Sequence, residues 1–125
     1  SHVATEYLAE GLRIRFGGDF GPLVLFGITD YDPSGFFIQE AFKRQLEGHG
    51  FEVESLFSLI NPEHYTEREK AIFSFEVPSH YETRLNSWMD ETGGIDGWPF
   101  GLEADSMSKT KLRTLLQKEL EPWLI

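Results

Sequence analysis

The chain contains no cysteine. That excludes a disulfide framework, a thiolate zinc site and a cysteine nucleophile, and it suits an intracellular protein, cytoplasmic or nucleoid-associated. No apolar run approaches the roughly 20 residues that a membrane-spanning helix needs, and no segment has the layout of a secretory signal. Basic residues are scarce: 11 Lys and Arg stand against 21 Asp and Glu, a formal net charge of −10. Tight nonspecific binding of nucleic acid requires clustered cations that neutralise phosphates, so the overall charge opposes it. The few cations are bunched, Lys43 and Arg44 in one segment and Lys109, Lys111, Arg113 and Lys118 in the last. A solvated acidic surface is the plainest reading of the charge, and a carboxylate cluster around a metal would add to the same balance.

What is present makes a core. Hydrophobic residues are 40% of the 125, and 11 are Phe, enough for one folded domain. No repeat, low-complexity tract or linker divides residues 1–125. Ser1-His2, without a methionine, reads as a tag remnant or as the start of a fragment of a longer protein.

The periodicity predicts a helix over Val3 to Arg15, broken by Gly17-Gly18-Asp19. Leu23 to Thr29 is a continuous apolar run, the pattern of a strand covered on both faces. Asp32 and Pro33 suit the N-cap and first position of a helix whose buried stripe is Phe37, Ile38, Ala41, Phe42 and Leu46, ended by Gly48-His49-Gly50. Phe51 to Ile60 reads as a second strand and Asn61-Pro62 as a turn. Thr66 to Glu69 has the form of a capping box ahead of a short helix, and Phe73 to Val77 suits a helix end or a short strand. A second box at Ser79 to Glu82 opens a helix with Tyr81, Leu85, Trp88 and Met89 on one side, stopped by Gly93-Gly94. Gly101 to Ala104 suits a short strand, and Ser108 caps a last helix with Leu112, Leu115, Leu116 and Leu120 inward. Strands alternating with helices predict an α/β fold, a small parallel sheet flanked by helices, with ligands beyond the carboxyl ends of its strands.

Asp30 and Asp32 fall at such an end. Two apart on an extended backbone, they point the same way, and two converging carboxylates repel unless a cation lies between them. Mg²⁺ takes a few carboxylates and completes its shell with water and phosphate oxygens. Ser34 and Gly35, at the start of the following helix, would offer backbone N–H groups to a phosphate. Glu103 and Asp105 repeat the spacing near the last strand, as a second acidic group or as carboxylates facing a helix dipole. The plain alternative for the first pair is an acidic strand-to-helix junction with Asp32 as a cap. Tyr31, between the aspartates, is expected on the opposite side, packing. The four histidines show no ligand spacing, and neither Thr29 nor Ser34 has a base nearby in sequence.

Ile28-Thr-Asp-Tyr-Asp-Pro-Ser-Gly35 resembles the Asp-x-Asp-Pro-x-Gly motif of Toprim domains, closest to those of the topoisomerase VI A subunit, its meiotic double-strand-break relatives and related bacterial proteins. Asn61-Pro-Glu-His-Tyr65 with Val77-Pro78, and Leu102-Glu-Ala-Asp-Ser-Met107 with Leu112-Arg113, resemble later landmarks of that group in the same order. The resemblance implies a Rossmann-like Toprim fold and a site using Mg²⁺ (or Mn²⁺) to break and rejoin, or hydrolyse, DNA phosphodiesters. Asp30, Asp32 and the later acidic position Glu103 would then be metal ligands. DNA would be met through a longer protein rather than this acidic chain alone, with a partner subunit or a second copy. The family's general acid/base glutamate ends a strand ahead of the first helix. No residue matches it, since Glu6 and Glu10 lie on the predicted helix, and no winged-helix tyrosine is present. The expectation is a truncated Toprim domain, part of a topoisomerase or nuclease and inactive by itself. Two other classes compete. One is a non-catalytic interaction module on the same fold. The other is a haloacid-dehalogenase-like phosphatase, which would use Asp30 as nucleophile but continue Gly-Thr where this chain has Pro33-Ser34.

Overall fold

The computed structural model describes residues 21–79 and 82–123. The expected helix at Val3 to Arg15, its break at Gly17-Gly18-Asp19, and His80 and Tyr81 at the start of the third helix lie outside them.

The chain forms β1 (Leu23–Gly27), α1 (Pro33–Gly48), β2 (Val53–Ser58), α2 (Glu67–Phe73), β3 (Ser74–Glu76), α3 (Glu82–Thr92), β4 (Phe100–Leu102) and α4 (Lys109–Leu120). β1 and β2 pair in parallel, with Leu25 opposite Leu56 and Phe26 opposite Phe57. A β-strand returning in parallel needs a crossover, and α1 is that crossover. The fold is therefore mixed α/β, with a small parallel sheet and flanking helices. Among the described residues no helix is long and apolar enough to cross a membrane.

Local chemistry explains most boundaries. Asp32 sits extended at φ −159° and caps α1 with Pro33 at its first position. Gly50 accepts a φ of 90° after the helix, a conformation that favours glycine. Thr66 and Glu69 complete the expected capping box, the Thr66 N–H reaching Glu69 at 2.8 Å and the Glu69 N–H reaching Thr66 at 3.1 Å. Ser108 accepts from the Lys111 N–H at 3.1 Å and starts α4. Gly93 and Gly94 take φ of 75° and 61° and end α3.

Three expectations are corrected. Not every strand joins the parallel sheet: β3 and β4 form a separate antiparallel pair, Phe75 opposite Gly101. β1 is shorter than Leu23 to Thr29, and among the described residues its sheet has only two strands. Each residue of β1 is half-buried and Ile28 is 47% exposed, because a two-stranded sheet has only edge strands. Ile38 does not join the buried stripe of α1: it is 61% exposed, while Leu46 is fully buried. α1 leans on the sheet through its C-terminal half, where Leu46 and Phe51 pack with Leu23, Leu25, Phe42 and Val53.

The larger core lies elsewhere. Tyr31, Ile60, Tyr65, Val77, Trp88, Ile95, Leu102 and Met107 pack together under the loop that leaves β1. Leu85 and Met89 join Trp88 from α3, as their spacing predicted.

Candidate functional site

Tyr31 fixes the site. Its backbone N–H donates to the Leu102 carbonyl at 2.7 Å and its carbonyl accepts from the Leu102 N–H at 3.0 Å. This single antiparallel bridge joins the end of the β1 segment to β4. Gly101 permits the approach, since a Cβ there would lie 2.5 Å from the Tyr31 carbonyl oxygen. The Tyr31 ring enters the core, as expected from the sequence. It meets Trp88 edge-on at 5.1 Å, and its hydroxyl donates to the Gly94 carbonyl at 2.7 Å. Burial pushes the hydroxyl's pKa up, against a smaller lowering by Thr92. It is a structural donor, not a nucleophile.

On either side of the buried Tyr31, Asp30 is exposed and Asp32 half-buried. Each uses one carboxylate oxygen on a backbone donor. Asp30 Oδ1 accepts from the Ala104 N–H at 2.7 Å, and Asp32 Oδ1 accepts from the Gly35 N–H at 2.7 Å. Among the described residues no lysine or arginine pairs with either. Both line one cavity of about 220 Å³, with Gln39 and Glu40 of α1, Ser58 at the end of β2 and Asn61 after it. The pair is thus held at a strand end, oriented by main-chain N–H groups and facing a space.

The chemistry of this donor set fits a hard divalent cation in part. Two oriented carboxylates are what Mg²⁺ commonly takes from protein, water and phosphate supplying the rest. A third protein ligand is not gathered: among the described residues, no group of three or more His, Cys, Asp or Glu stands together as a metal site. Glu103 does not line this cavity. It precedes the 3₁₀ turn Ala104–Ser106, makes no side-chain capping bond and is exposed. The Ala104 amide, not the Glu103 carboxylate, meets Asp30.

Gly35 corrects a further expectation. Its N–H is engaged by Asp32, so it is not open to a phosphate. Its lack of a side chain serves the protein itself, because an added methyl would overlap the Asp30 carbonyl oxygen and press on Thr29 Oγ1. Ser34 is exposed at the same helix start. Gly35→Ala is expected to lower stability by about 1–3 kcal/mol, the usual penalty of overpacking. Thermal unfolding reads it, and a variant melting with the parent would show that the loop is not clamped against α1.

Three contributors escaped the sequence. Gln39 Nε2 donates to Thr29 Oγ1 at 2.6 Å, tying α1 to the β1 loop. Asn61, legible only as a turn residue, lines the cavity while accepting from the Glu63 N–H at 3.1 Å. The Ala104 N–H carries no sequence signal at all, since any residue but proline supplies a backbone donor. Of the tryptophans, Trp88 is fully buried and Trp98 is exposed in a loop, while Trp123, in the turn after α4, lies 6.4 Å from Phe57, which stacks on Phe26 at 5.5 Å on the sheet.

No family model, curated protein or solved structure matches this chain.

Proposed function

We propose that this chain is a Toprim-type, Mg²⁺-binding domain of a DNA-processing enzyme, of the topoisomerase VI A or nuclease kind. The observation that supports the reading most is the pairing of Asp30 and Asp32 at one cavity, each steadied by a main-chain amide and neither neutralised by a cationic side chain among the described residues. Such groups keep a fixed shape before a ligand arrives, which is how preorganised sites stabilise charge.

The residues divide the work. Asp30 and Asp32 would hold Mg²⁺ or Mn²⁺, and the exposed Ser34 at the α1 N-terminus would face a phosphate oxygen. The metal, when bound, would offset charge on a reacting phosphodiester. Asp32 has a second duty as the cap of α1, so ligand geometry and helix start are tied together. A partner subunit, a second copy or a longer chain would supply the basic surface for DNA and the acid/base group. The chain by itself would bind metal weakly and turn nothing over.

Calorimetric titration of the chain with Mn²⁺ tests this reading. Weak, saturable binding supports it; the absence of any binding heat contradicts it. The interaction-module reading draws on the missing third ligand among the described residues. It predicts a folded chain indifferent to divalent ions. Nothing favours the phosphatase reading, as no lysine among the described residues lines the cavity.

A further inference from the structure

We infer that Tyr65, through Ser106, is a positioning residue for Asp30. Its functional consequence rests on the metal reading above, while its geometry does not.

The relay has three links. Ser106 Oγ donates to the Glu103 carbonyl at 2.6 Å, so its one proton is committed. The 2.8 Å contact between Tyr65 OH and Ser106 Oγ therefore runs from the tyrosine to the serine. The Ser106 backbone N–H also reaches the Glu103 carbonyl, at 3.0 Å, so this one oxygen closes the turn 104–106. The first amide of that turn, on Ala104, is the donor that holds Asp30 Oδ1. Tyr65 thus fixes the turn from below, and the turn fixes the carboxylate.

Tyr65 is built to stay in place. It is 6% exposed, within the larger core, and the Lys111 ammonium lies 4.9 Å over its ring while also pairing with Glu69 at 3.1 Å. Burial raises its pKa, so it keeps its proton and remains a donor at neutral pH. Ligand orientation commonly depends on such outer partners, and losing one weakens metal affinity by about 10–100-fold.

Tyr65→Phe removes the hydroxyl and leaves the ring. Ala104→Pro removes the amide donor itself. Glu103 has φ −80° and ψ 144°, which suits the residue before proline, and proline fits the first position of a helical turn. The test measures Mn²⁺ affinity in the parent, both single variants and the double variant, and the Ala104 amide resonance in the parent and in Tyr65→Phe, since proline carries no amide proton.

Tyr65→Phe is expected to move the Ala104 amide proton upfield, speed its exchange and weaken Mn²⁺ binding by about tenfold. In the Ala104→Pro background, Tyr65→Phe should add less than about twofold, because the link it acts through is gone. A parent that binds Mn²⁺ and a Tyr65→Phe variant with unchanged amide and affinity overturn the positioning role alone. An equal loss in both backgrounds also overturns it, since that marks general destabilisation. A parent that binds no Mn²⁺ overturns the metal reading and this role with it.

Discussion

Replacing both Asp30 and Asp32 by asparagine is expected to abolish the response of the protein to divalent ions while leaving its metal-free stability almost unchanged. Asparagine keeps a carbonyl oxygen in each place, so the Ala104 and Gly35 amides retain an acceptor. It is also about as good an N-cap as aspartate. Metal-free unfolding should therefore stay within roughly 0.5 kcal/mol of the parent, as for substitutions that break no buried feature. What is lost is negative charge. At an ion concentration about ten times the dissociation constant, binding to the folded state alone contributes about 1.4 kcal/mol. For a domain of this size that is a rise in melting temperature of about 5 °C. The parent should show it with Mn²⁺ and the double variant should not. Asp32→Ala separates the two duties of that residue: it also loses the cap and should cost about 1 kcal/mol without any metal. Equal shifts in parent and double variant would mean that the ion binds elsewhere.

Trp88→Ala is expected to be the most damaging single change, costing about 3–5 kcal/mol as large-to-small substitutions in cores do. Trp88 is fully buried, meets the Tyr31 ring at 5.1 Å and is one wall of the cavity beside the aspartates. Domains of ordinary stability hold about 5–15 kcal/mol in total, so this one substitution removes a large share. Its reach extends to the site, because Tyr31 carries both aspartates on its flanks. Urea unfolding measures the loss. A variant whose midpoint barely moves would show that the larger core does not depend on Trp88, and that the bridge to Leu102 and the hydroxyl bond to Gly94 suffice to hold Tyr31.

Local signals carried far. Asp32-Pro33 marked the start of α1, Thr66 with Glu69 marked α2, Ser108 marked α4, and Gly93-Gly94 marked the end of α3. Each is a backbone requirement met by residues three or four positions away, so each is readable from a short window. The acidic pair was legible for the same reason, since a spacing of two on an extended segment is local. Long-range pairing was not. β3 and β4 are three residues each, too short for a period, and nothing in Tyr31 or Leu102 announces their bridge across 71 positions of chain (102 − 31). The position of Ile38 also failed to follow from helical spacing. Spacing defines an apolar stripe but not how much of it the sheet covers, and a two-stranded sheet reaches only the later turns of α1. The Gly35 amide looks free for a phosphate in sequence because its capture by Asp32 depends on the cap geometry, and its tight packing on the Asp30 carbonyl has no sequence signal.

If the carboxylates on either side of Tyr31 share one divalent ion, that ion lies between them in a crystal. Anomalous diffraction from a crystal of the full chain soaked in Mn²⁺ tests it most directly. The account predicts one peak at about 2.1 Å from an oxygen of Asp30 and from an oxygen of Asp32, with the Ala104 and Gly35 amides still bound to the opposite oxygens. No peak between the two side chains at a saturating Mn²⁺ concentration would contradict it.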